Sequence, residues 1–340
     1  MNYSLLSKYR SELMGVAMLS VMLFHASDMD LGIFNGPRTL GFGGVDIFVL
    51  LSAMGLAMSL TRRRQEYGAF LIRRARRVLP AYYLVMAAYT LALLVRKQAT
   101  VSAFFWNATL LQYWVRPQGR FNWYMTGLLI WYALIPPLTA LMGRSRHRAA
   151  LTVLISAAGI AVCELLYRDG YWYYMDPFFR LPVLAEGILL GFLILEDRRL
   201  GARDYAIWGL CVAAGALWAL VWLKGWTVWA AYMFPFTTVP ACLLICLVLD
   251  RLPLGALRRC LRFVGENSLE IYLLNVSFFS ETGLLRRFFD PDPGHYAYYA
   301  ASFALNILLG WALHRAIALV GDRLRVKAPT NSPPSGHVIK

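Results

Sequence analysis

Residues 234–249 read Phe-Pro-Phe-Thr-Thr-Val-Pro-Ala-Cys-Leu-Leu-Ile-Cys-Leu-Val-Leu, with no charged side chain among them. Such a run decides the fold, because a bilayer core about 30 Å thick takes roughly 20 apolar residues per helix. Ala81 to Val95, with its flanks, repeats the pattern. The whole chain of 340 residues is 59% hydrophobic and 16% charged, and a soluble domain of this size needs far more charge to cover its surface. Candidate spans fall at about residues 13–30, 41–61, 79–95, 122–142, 149–166, 179–195, 204–222, 230–249, 265–281 and 296–320. The apolar piece 102–115 is too short to span and reads as re-entrant or interfacial. The expected architecture is all-α: a polytopic transmembrane helix bundle over residues 8–320. A cytoplasmic tail, 321–340, is rich in Pro and Ser from Ala328 onward and is expected to be disordered.

An even number of spans, about ten, puts both termini on one side, and the basic residues choose the side. The segments that share a side with the N-terminus hold 23 Lys and Arg, seven of them between Arg62 and Arg77. The alternate segments hold nine: Arg38, Arg96, Lys97, Arg116, Arg120, Arg168, Lys224, Arg286 and Arg287. Both termini are therefore expected in the cytoplasm. The same bias accounts for the net charge of +15, which reads as attraction to anionic lipid rather than to nucleic acid. The first apolar block runs straight into further spans and shows no small-residue cleavage site, so it reads as a retained helix. Cys163, Cys211, Cys242, Cys246 and Cys260 lie in or beside apolar segments without metal-ligand spacing, and no metal is expected.

Ionisable groups inside a span are costly and are functional candidates by default. They are His25, Asp46, Glu164, Glu186, Glu270 and His314–Arg315, with Asn275 as a neutral companion. His25 lies ~18 Å from the inner end of the first span at 1.5 Å per residue. Asp46 enters the second span from the outer side, so the two stand at similar depth. A carboxylate bonded to one ring nitrogen would fix the tautomer and leave the other as a general base; the alternative is two unrelated groups near a wet interface. Phe70-Leu-Ile-Arg-Arg-Ala-Arg-Arg-Val-Leu-Pro80 places Arg73, Arg74 and Arg77 at the inner mouth of the third span. They can grip phosphates or serve topology alone. Glu186 sits between Arg180 and Gly191, a partner for Arg180 or a protonated spectator, and Gly187 and Gly191 allow close helix packing. The outer aromatics, Trp123 and Trp172 among them, form either an interfacial belt or a platform for sugar rings.

Several of these pieces, in this order, resemble the acyltransferase-3 family of membrane-bound O-acyltransferases. They are Leu23-Phe-His25 closing the first span, Gly43-Gly-Val-Asp-Ile-Phe-Val-Leu-Leu-Ser52, Arg73-Arg74-x-x-Arg77-x-x-Pro80, Arg180-Leu-Pro…Gly187…Gly191, and Ser268-Leu-Glu-Ile-Tyr-Leu. The resemblance implies transfer of an acyl group, commonly acetyl from acetyl-CoA, to a hydroxyl of a cell-envelope polysaccharide or glycolipid. His25 would be the catalytic residue with Asp46 beside it, and the cytoplasmic arginines would bind the CoA. It places the chain in the inner membrane beside polysaccharide-assembly partners. Glu186, Trp123 and Asn275 are the expected acceptor contacts. The chain departs from the pattern in ways that mark a divergent branch. Met14 stands where the family carries an arginine; either Arg10, one turn earlier, substitutes for it or the role is lost. Trp123-Tyr-Met-Thr-Gly-Leu-Leu129 lacks the family's carboxylates, and Asn275 takes the place of a histidine. The competing reading is a non-enzymatic transporter or export component, which would show pseudo-repeats and broken helices; the sequence has no repeat.

Overall fold

A computed structural model describes residues 1–115, 123–225, 229–280 and 295–326. The tail expected beyond Val326, and Arg116, Arg120, Arg286 and Arg287, lie outside the described residues. Within them the chain is helical, and the β-structure is one isolated bridge between Asn2 and Arg199. A short helix α1 (Ser4–Lys8) turns into α2 (Arg10–Phe24), and a loop carrying α3 (Asn35–Thr39) leads to α4 (Gly44–Arg62). Then come α5 (Tyr67–Val95), two short helices α6 (Val101–Ala108) and α7 (Gln112–Val115), α8 (Trp123–Arg144) and α9 (Arg148–Arg168). The second half holds α10 (Leu181–Leu195), α11 (Ala202–Leu223), α12 (Phe234–Arg251), α13 (Gly255–Glu266), α14 (Ser268–Leu274), and α15 (Tyr296–Val326). Helix α14 continues as a π-helical turn over Asn275–Phe279.

Seven helices are long and apolar enough to cross a membrane by length and composition: α4, α5, α8, α9, α11, α12 and α15. The other three expected spans are shorter. Helices α2 and α10 have 15 residues each, about 22 Å of rise, and α14 runs on through its π turn to Phe279. All three are packed inside the bundle, where a helix end meets protein rather than lipid. The apolar window of α4 is 67% buried and that of α11 only 6%. The fold is thus a core around α2, α4 and α10 with a partial outer ring of α9, α11 and α15, whose exposed apolar faces suit a hydrocarbon solvent.

Two local departures from the sequence reading matter for the site. The third span does not begin near residue 79 but at Tyr67, so the arginine cluster rides on α5 itself. Glu66 caps the helix, accepting from Gly68 N at 2.8 Å and Ala69 N at 2.6 Å. The amides of Ala69 and Gly68 hold its carboxyl below the usual carboxylate range. The helix runs through Pro80, which removes one internal hydrogen bond without ending it. At 29 residues it rises about 44 Å, so its first turns project beyond a 30 Å apolar slab.

The second departure is α13, formed by residues that read as a basic loop. Leu261 and Val264 are buried while Arg259 faces out, the pattern of an amphipathic surface helix. It packs on α2 with the backbones in contact. A Cβ at Gly265 would lie 1.8 Å from Ser11 O, and one at Gly15 would lie 2.0 Å from Leu261 O. Arg262 also donates to the buried Glu12 at 2.6 Å. Gly265→Val is therefore expected to wedge α13 off α2 and cost at least about 1–3 kcal/mol. Thermal unfolding in detergent checks it, with Gly36→Ala, where nothing lies within 4 Å of the added Cβ, as the neutral control. Helix α10 meets α4 in the same way, Gly187 on Leu50 O and Gly191 on Met54 O.

Candidate active site

A cavity of about 720 Å³ lies among α2, α4, α5, α8, α13, α14 and α15. Its charged lining is Arg10, Arg74, Arg76, Arg77, Glu266, Glu270 and His314. Arg10 is held in place by Nε donating to Leu51 O at 3.2 Å, with its guanidinium against the bare face of Gly55. Arg74 and Arg77 are near enough to repel it, and the hydroxyl of the buried Tyr132 stands among the three. Among the described residues none of these arginines has an ion-pair partner. Glu270 is taken by His314, whose Nδ1 lies 3.1 Å from its Oε1. Four clustered guanidinium groups outnumber the two carboxylates of the lining, Glu266 and Glu270, which makes the cavity a candidate anion site. Arg73, expected in the cluster, instead donates to Gln65 and does not line the cavity. Arg76, absent from the expected set, does.

The cavity reaches inward to Phe48, Tyr124 and Tyr272, the two tyrosine rings 4.4 Å apart. Three residues beyond Tyr272, about one helical turn, stands Asn275, buried at the start of the π turn. Its Oδ1 lies 2.9 Å from His25 Nδ1. An amide oxygen only accepts, so Nδ1 is the donor in this contact, and in the neutral ring Nε2 keeps its lone pair. His25 ends α2, its N–H bonded to Val21 O at 3.0 Å. The loop after it is clamped by Arg38, which donates to Ala26 O and, at 2.8 Å, to Ser27 O. That loop is braced in turn by Asp30, which accepts from Gly32 N and Asn35 Nδ2 at 2.9 and 2.8 Å.

Asp46 does not bond to His25, contrary to the expectation from depth alone. Its carboxylate lies 3.7 Å from Arg180 Nε, and Arg180 also meets Asp176 at 3.5 Å and donates to the Asp176 carbonyl at 3.0 Å. The Trp123 ring lies 5.0 Å from the guanidinium carbon, within cation–π range. The reason is valence: one buried arginine draws both carboxylates, while the neutral Asn275 suffices for the imidazole. Arg180 is therefore not the partner of Glu186, which is near enough to feel the charge of Asp46 but whose Oε2 is buried without a hydrogen bond. Glu164 accepts from Tyr232 at 2.5 Å.

The structure thus gathers the expected residues into three groups. His25 joins Asn275, Arg10 joins Arg74 and Arg77, and Asp46 joins Trp123 through Arg180. The acyltransferase domain of the acyltransferase-3 family matches residues 13–315. No curated protein and no solved structure matches the chain significantly. The match begins in α2, which carries His25, and ends at the residue after His314 of the arginine-lined cavity; the chain belongs to the acyltransferase-3 family and is a membrane acyltransferase.

Proposed function

We propose that the protein is an inner-membrane O-acetyltransferase that moves the acetyl group of acetyl-CoA to a hydroxyl of an envelope polysaccharide or glycolipid, supplied by polysaccharide-assembly partners. The bundle crosses the membrane ten times with both termini in the cytoplasm. In support, the N-terminal segment is tied to the turn after α10 and to the end of α12. Asn2 Nδ2 donates to Asp197 at 2.7 Å, Leu200 N to Met1 O at 2.9 Å, and Lys8 to Asp250 at 2.6 Å. These three places fall on one side in a ten-span reading.

The observation that carries the reading is the arginine-lined cavity, whose inner end at Tyr272 stops one turn short of the Asn275 that holds His25. The CoA phosphates meet Arg10, Arg74, Arg76 and Arg77, and the pantetheine arm follows the cavity inward. His25 Nε2 takes the proton of the sugar hydroxyl as its oxygen attacks the thioester carbonyl carbon. The tetrahedral adduct then expels the CoA thiolate, breaking the C–S bond, and the thiolate recovers the proton from the imidazolium. Asn275 accepts from Nδ1–H throughout and holds the ring in the reactive tautomer.

The double variant Arg74→Ala, Arg77→Ala is expected to weaken acetyl-CoA binding by at least roughly tenfold, the scale of one lost charge-assisted hydrogen bond. Calorimetry on the purified protein measures it, with unchanged thermal unfolding as the folding control. Binding at full strength would remove the donor role from the cavity.

A further inference from the structure

A second, smaller cavity of about 290 Å³ lies on the other side of Arg10. Its lining is Ser7, Arg10, Met54, Gly55, Met58, Ser59, Arg62 and Arg63. Three arginines and two serines share this wall with no carboxylate among them. Among the described residues Arg62 and Arg63 have no ion-pair partner, and the one bond of Arg10 goes to the Leu51 carbonyl. Met54 and Met58 form an apolar side.

This composition is unlike a topological charge run. Basic residues that serve only the positive-inside rule need no cavity, no shared focus and no apolar wall. Here the chain leaves helical geometry at Arg63, and Arg62 and Arg63 share the cavity wall with Arg10. Gly55 leaves just enough space for the Arg10 guanidinium, 3.3 Å from where its Cβ would be. Arg10 is thereby a wall of both cavities.

We propose that this cavity is a second anion site, selective for a phosphomonoester attached to a less polar body. A monoester carries close to two negative charges and three acceptor oxygens near neutral pH, which matches three guanidinium groups better than a diester does. Two sources carry that chemistry: the 3′-phosphate of CoA, whose other phosphates occupy the larger cavity, and the headgroup of a phosphatidic-acid-like lipid of the inner leaflet. The first source rests on the donor reading given above; the second does not. In either case Arg10 couples the sites. One ligand spanning both binds cooperatively through it, and two separate ligands compete for it.

The test uses the full-length protein in detergent and the double variant Arg62→Ala, Arg63→Ala. Calorimetry compares acetyl-CoA with 3′-dephospho-acetyl-CoA, and native mass spectrometry compares retention of phosphatidic acid with phosphatidylcholine. A 3′-phosphate site makes the wild type prefer acetyl-CoA by roughly tenfold or more, and the variant loses that preference. A lipid site leaves the two donors equal, while the wild type retains phosphatidic acid and the variant does not. Retention of neither preference in the wild type, or no difference between wild type and a variant that unfolds normally, overturns the proposal. If the wild type binds no acetyl-CoA at all, the donor reading falls, and the lipid arm still decides the second site.

Discussion

His25→Ala is expected to abolish acetyl transfer while leaving the protein inserted and its donor binding intact. His25 closes α2, and its truncation removes a ring that meets Phe24 at 5.2 Å between centroids and Asn275 at 2.9 Å. What is lost is the base. A sugar hydroxyl is not measurably ionised at neutral pH, and removal of a positioned base costs about 10²–10⁴ in rate. Nuclear magnetic resonance of the surface glycan measures O-acetyl content in cells carrying each variant at matched protein levels. Asn275→Leu keeps the histidine but frees its tautomer, and should lower the rate less than His25→Ala does. Unchanged acetylation with His25→Ala would defeat the enzymatic mechanism.

The second large effect concerns stability. Arg180 and Asp46 have side chains only 4% and 2% exposed, and Asp176 shares the same guanidinium. Arg180→Leu would strand the buried Asp46 carboxylate in the bundle and take one partner from Asp176. Breaking a buried pair from one side costs roughly 3–5 kcal/mol, because the partner's charge is left uncompensated. Thermal unfolding in detergent should therefore fall steeply for Arg180→Leu. Arg180→Lys should recover part of the loss, since it restores the charge without the planar fork. The double variant Arg180→Leu, Asp46→Leu should lie above Arg180→Leu alone, because one stranded charge has gone. A double variant no more stable than the single would show that the Asp46 contact carries little.

The residues that made the fold legible were the uncharged runs, because the cost of a charge in hydrocarbon is large and local in sequence. The runs that became α8, α9 and α11 needed nothing but their own composition. The start of α5 was hidden because its first turns are basic, and only the cap from Glu66 marks it. Helix α13 was hidden for a related reason: three arginines in a dozen residues look like solvent-facing loop until Leu261, Val264 and Gly265 find α2. At the site, His25 and the pair Arg74 and Arg77 stood out because their chemistry is rare in an apolar setting. The partner of His25 did not. Asn275 is 250 residues away, and nearness in sequence favoured Asp46 instead. Arg180, with two carboxylates in reach, settled that competition, and sequence spacing carries no trace of it. Arg73 and Arg76 exchanged roles for an equally local reason, the claim of Gln65 on Arg73.

Helix α2 carries Arg10 at its first residue and His25 just past its last. It is a ruler. Its 15 residues fix about 22 Å of rise between Arg10 and His25, the two residues that the proposed function assigns to the donor's phosphates and to the base. A ruler of one helix has no hinge to adjust, and α13 is pressed against it at two glycines, so its two marks cannot slide relative to each other. One residue more or fewer would move the base by about 1.5 Å and rotate it by about 100°, away from Asn275, with every catalytic side chain still present. Under the proposed function, the length of α2 would select among donors by reach: a thioester whose distance from its phosphates differs from that span would meet the arginines and miss the histidine.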